Sequence, residues 1–87
     1  MDADQLDAYY FTDLGAVLQA LYNSEINIEM KWFWDGGIEY RIGDELNGWK
    51  YESQKQTVRE AVTDIARNAC RVYPASGFAA KYSRAFE

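Results

Sequence analysis

Histidine is missing from this chain altogether. Without it there is no imidazole to activate a serine or cysteine nucleophile, and the commonest ligand for zinc or copper is gone. Cysteine occurs once, as Cys70, so no internal disulfide can form and a single chain cannot assemble a thiolate-rich zinc or iron–sulfur site. None of the six glycines falls into GxGxxG or GxxxxGK(S/T), the loops that cradle phosphates. No apolar run approaches the roughly 18 residues that a membrane-spanning helix needs, and no basic start with an apolar stretch marks a secretion signal near Met1. These absences lead us to expect a cytoplasmic protein with no cofactor, no metal site and no catalytic residues.

The composition favours a folded chain. Of 87 residues, 48% are hydrophobic and 16% aromatic, which is enough for one core and too little chain for two. A mostly aromatic core is expected. The net charge of −5 repels phosphate backbones and acidic membranes, yet it is unevenly spread: residues 1–47 carry −8 and residues 48–87 carry +3.

Periodicity divides the chain into elements. Over residues 12–23, Leu14, Val17, Leu18, Leu21 and Tyr22 recur at helical spacing, with Thr12 placed to cap and Asp13 in the first turn. Residues 1–8 are acidic and expected to fray unless Tyr9, Tyr10 and Phe11 anchor them. Residues 25–34 switch to period two, with Ile26, Ile28, Met30, Trp32 and Trp34 on one face and Lys31 and Phe33 on the other. A second strand carries Ile38, Tyr40 and Ile42; a shorter third carries Trp49 and Tyr51 on the same face. A three-residue loop at 35–37 would pair Trp34 with Ile38, Trp32 with Tyr40 and Met30 with Ile42, and would set Gly37 in a left-handed bulge.

The next helix has the stripe Val58, Ala61, Val62, Ile65, Ala69 and Val72, with Glu60, Asp64, Arg67 and Arg71 opposite. Thr57 to Glu60 reads as a capping box, and Ser53 offers an earlier start. Pro74 ends this helix, and Ser76 is placed to cap a short last one bearing Phe78, Tyr82 and Phe86. The expected fold class is therefore α+β, a single domain of helix, three-stranded antiparallel meander and helix with a short C-terminal helix, the helices covering one sheet face.

Candidate contacts with a partner are Phe33, on the polar face of its strand, and the stripe Phe78, Tyr82 and Phe86, which either folds back onto the domain or meets a second copy. A monomer is expected in the first case and a symmetric dimer in the second. Cys70 reads as a small packing residue. Asp35, Asp44 and Glu45 read first as turn residues, and as loop carboxylates for metal or acid–base work only if they converge. Both sheet edges carry charges that discourage indiscriminate pairing.

The order helix, three strands, helix resembles the double-stranded-RNA-binding domain. The run Lys55-Gln56-Thr57-Val58-Arg59-Glu60-Ala61-Val62 is similar to the KKxAKxxAA start of that family's second helix. The resemblance implies that Lys55 and Arg59 touch phosphates; direct binding of nucleic acid would also engage Arg67 and Arg71, farther along the helix. The family's GPxH between its first two strands is replaced here by Asp35-Gly36-Gly37, and the middle basic position by Gln56. The stretch from Trp32 to Trp49 also resembles small bacterial proteins of unknown function, which implies no site residues. The expectation is a non-catalytic protein-interaction or regulatory module, with a nucleic-acid-related module, either a binder or an acidic mimic, as the alternative, and an enzyme using the loop carboxylates as the second.

Overall fold

The computed structural model describes residues 13–86, so the expectations for residues 1–12, including the Thr12 cap, lie outside the described residues. The element order is α1 (Leu14–Asn23), β1 (Ile28–Phe33), β2 (Gly37–Asp44), β3 (Gly48–Lys55), α2 (Val58–Val72), α3 (Gly77–Tyr82) and a closing 3-10 turn (Ser83–Phe86). The sheet is an antiparallel meander in the order β1-β2-β3. The α+β architecture read from the sequence is the observed one. Among the described residues, no helix is long and apolar enough to cross a membrane.

Each helix starts where a short polar side chain can replace the missing intrahelical partner. Asp13 caps α1 itself, its carboxyl accepting the Ala16 N–H at 3.0 Å. Thr57 Oγ1 accepts the Glu60 N–H at 3.1 Å, so α2 starts at the capping box and not at Ser53. Ser76 Oγ accepts the Ala79 N–H at 3.0 Å at the head of α3. Helix α2 packs on β2 and β3, and both α1 and α3 pack on α2. Its core side is rich in alanine, with Ala61, Ala66 and Ala69 buried beside Val62 and Ile65. Small residues there let the helix lie close to the sheet, against Ile38, Tyr40 and Ile42.

The β1–β2 register differs from the expected one. Phe33 pairs with Gly37, Trp32 with Ile38, Met30 with Tyr40 and Ile28 with Ile42. The loop still has three residues, but they are Trp34, Asp35 and Gly36, one step earlier in the chain. A register changed by two residues keeps every side chain on its own face, so alternation alone cannot tell the two pairings apart and the turn decides. Here Gly36 N–H donates to Phe33 O at 3.0 Å, and Gly37 follows with left-handed backbone at φ +88°.

The β2–β3 pair brings a second correction. Ile42 faces Tyr51 while Gly43 faces Trp49, so β3 carries one extra residue at a bulge. That residue turns Trp49 to the outer sheet face, away from Tyr51, and the Arg41 guanidinium stacks 3.8 Å from the Trp49 ring centroid. The bulge depends on Gly43: its φ is +118°, and an added Cβ would lie 2.4 Å from the Gly48 carbonyl oxygen. Strand β3 is also longer than expected, ending at Lys55. We expect Gly43→Ala to lower stability by about 2–4 kcal/mol, because strain in the backbone and a clash with the backbone of the neighbouring strand combine. Urea unfolding checks it; a change below about 1 kcal/mol would show that the bulge relaxes at no cost.

Candidate interaction surface

Tryptophan is absent from the core, contrary to expectation. Trp49 stacks on Arg41, and Trp32 and Trp34 are 58% and 97% exposed. Phe33, between them, is 47% exposed, so three consecutive aromatic side chains crown the β1–β2 hairpin. The cause is where the helical cover ends. α2 lies across β2 and β3, so the face that buries Ile38 and Tyr40 runs out beside β1. Ile28 and Met30 remain half-buried, while Trp32 and Trp34 continue past the cover into solvent.

The tip is held rather than loose. Besides the turn closed at Phe33 and Gly36, the Gln54 side-chain amide donates to the Gly36 carbonyl, tying the loop to β3. A Cβ on Gly37 would lie 2.6 Å from the Lys55 carbonyl oxygen, so the loop sits tightly against β3. Large apolar side chains on an ordered tip lose little further conformational freedom on contact, which is what an interaction anchor requires. Sequence reasoning singled out Phe33 but placed both neighbouring tryptophans in the core. The signal it passed over is the run Trp32-Phe33-Trp34: consecutive strand residues point to opposite faces, so at most one face of such a run can be covered by a two-layer fold.

The C-terminal stripe lies elsewhere. Phe78 and Tyr82 are buried in the chain's own core with ring centroids 4.6 Å apart, and Phe86 is half-buried with the Arg67 guanidinium 5.5 Å from its centroid. Phe78 and Tyr82 therefore present no surface to a partner, and of the four candidate contacts Phe33 is the exposed one.

Asp64, expected on the solvated side of α2, is instead 7% exposed between helix and sheet. It accepts hydrogen bonds from the Tyr40 hydroxyl and, at 2.7 Å, from the Tyr51 hydroxyl. Asn68 Nδ2 donates to it at 3.3 Å, and Arg67 reaches to 3.8 Å from the open side. Burial first, then the hydrogen bond to Asp64, pushes both tyrosines above their ordinary pKa, Tyr40 well above it. The group is satisfied on every side, and its chemistry is that of a fold-holding network.

The candidate phosphate contacts are partly gathered. Lys55, Arg59 and Arg67 line one shallow depression, but Glu60 and Asp64 line it too. Arg71 lies farther along α2, 5.8 Å from the Tyr51 ring centroid. The depression is thus of mixed sign, and Arg67 and Arg71 are engaged with the chain's own acid and rings. The loop carboxylates do not converge: Asp35 precedes β2 and Asp44 ends it, and a strand of eight residues spans roughly 25 Å at the usual rise per residue. Asp44 accepts the Asn47 N–H at 2.7 Å and the Asn27 side-chain amide at 2.9 Å, which together lower its pKa and hold the β2–β3 turn. Cys70 is buried, and burial raises its thiol pKa from 9.0 to about 11, as for an inert packing residue.

No protein-family model, curated protein or solved structure matches the chain.

Proposed function

We propose that the chain is a non-catalytic module that binds another protein through the aromatic tip of its β1–β2 hairpin. The observation that carries this reading is Trp34, 97% exposed beside exposed Trp32 and Phe33 on a tethered loop. Solvated aromatics clustered at one point favour neither folding nor solubility, and they are the side chains most often found as anchors of protein interfaces. Charge states the chemistry of the partner. Asp35 sits in the same loop, so the complementary surface is an apolar socket with a Lys or Arg at its rim.

A Phe33→Ser, Trp34→Ser double variant tests this, since neither side chain supports the core. Crosslinking in native lysate is compared for wild type and variant, with circular dichroism as the check on folding. We expect a crosslinked species with wild type that the variant loses at least tenfold. Equal capture by both, or capture by neither, would count against the reading.

A further inference from the structure

Among the described residues, β1 is an edge of the sheet, and its hydrogen-bond parity defines what that edge offers. Gly43 N–H donates to Asn27 O at 2.8 Å, so odd-numbered residues of this strand turn their backbone groups toward β2. The alternation of antiparallel pairing then turns the N–H and C=O groups of Ile28, Met30 and Trp32 to the open side. An edge of this kind accepts another strand only in registers that set even-numbered residues opposite one another.

We propose that β1 pairs with the β1 of a second copy, antiparallel about a two-fold axis through Met30, joining two meanders into one six-stranded sheet. In that register Met30 faces Met30 of the second copy, Ile28 faces Trp32, and Glu29 faces Lys31. Each match is repeated by the symmetry, as a closed isologous contact requires. On the helix side the seam brings together Ile28, Met30 and Trp32 from both copies and covers the exposed Trp32 ring. On the outer side it sets two opposite-charge pairs across the junction. Slipping two residues one way places Glu29 opposite Glu29, and slipping the other way places Lys31 opposite Lys31. The charges that guard the edge against indiscriminate pairing therefore select one register of self-pairing. With Phe78 and Tyr82 of the C-terminal stripe buried, this edge is where a second copy fits.

The inference goes beyond the hairpin-tip reading, because it uses the strand edge and leaves Phe33 and Trp34 outside the charge match. A chain that dimerises but captures nothing, or captures a partner as a monomer, separates the two.

Sedimentation equilibrium of three proteins tests it. Wild type should be a concentration-dependent dimer. Lys31→Glu, a change at an exposed side chain, sets a second carboxylate opposite Glu29 in both junction pairs and should weaken the dimer by about tenfold or more. Glu29→Lys should weaken self-association likewise, whereas an equimolar mixture of the two variants restores both opposite-charge pairs and should dimerise. Within its own chain Glu29 also pairs with Arg41 at 3.1 Å and with Lys31 at 3.6 Å, so both variants act on their own sheet as well. Salt then gives an independent reading: it should weaken the wild-type dimer and strengthen that of Lys31→Glu. A wild type that stays monomeric, or a dimer indifferent to Lys31→Glu and to salt, would overturn the proposal.

Discussion

Phe78→Ala is expected to cost about 3–5 kcal/mol of folding stability, the usual range for emptying a fully enclosed phenylalanine site. The side chain is 1% exposed, and its ring lies against Tyr82 where α3 packs on α2. Two losses add: the ring's transfer out of water, and the cavity left by neighbours that cannot all close in. The half-buried Phe86 on the same stripe should cost markedly less on the same change. Urea unfolding followed by circular dichroism gives both values. A Phe78→Ala protein with near wild-type stability and an altered sedimentation coefficient would instead mean that the stripe serves an interface.

Asp64→Ala should cost about 2–4 kcal/mol, because one truncation removes the carboxylate acceptor of two tyrosine hydroxyls, that of Tyr40 deeply placed. Asp64→Asn keeps an acceptor oxygen and should recover part of the loss. The same network gives stability a pH dependence whose sign follows from linkage. Tyr40 and Tyr51 have folded pKa values raised above the ordinary 10.0. Below pH 10 both states hold the phenolic protons and the stabilisation is fully present. Above it the unfolded chain releases protons that the folded chain keeps, so stability falls as pH rises toward the folded values. Alkaline titration followed by tyrosinate absorbance and circular dichroism should show ionisation of these two groups coupled to unfolding, and Tyr40→Phe should flatten the loss. Ionisation of every tyrosine near pH 10 with the fold intact would contradict the network's role.

How much of this was legible beforehand can be seen residue by residue. The stripe from Val58 to Val72 is helical at any register, since period 3.6 is a local property and the capping pattern at Thr57 marks its start. The strands of the meander are equally local, and Phe33 could be assigned to the solvated face by counting alternation. The hairpin register was not legible, because pairings two residues apart satisfy the same alternation. Trp49 was missed because a bulge is set by the contact between Gly43 and Gly48 across two strands, and one extra residue reverses the face of everything before it.

Sequence by itself therefore determined the order and type of elements, the absence of histidine chemistry and the uneven distribution of charge, all of which depend on residues close in the chain or on composition. Tertiary structure alone decided which aromatics are covered. Alternation placed Trp32 and Trp34 on the core face with Tyr40; Trp32, opposite Ile38, does lie on that side of β1, while Trp34 falls in the turn. Whether a face is buried, however, depends on how far the opposing helix reaches, and α2 lies along β2 and β3. The same is true of Asp64, whose place on the polar side of a helical wheel says nothing of two tyrosine hydroxyls brought from strands 13 and 24 residues away. A polar group can lie inside when its partners arrive by folding, and only the packed chain shows that they do.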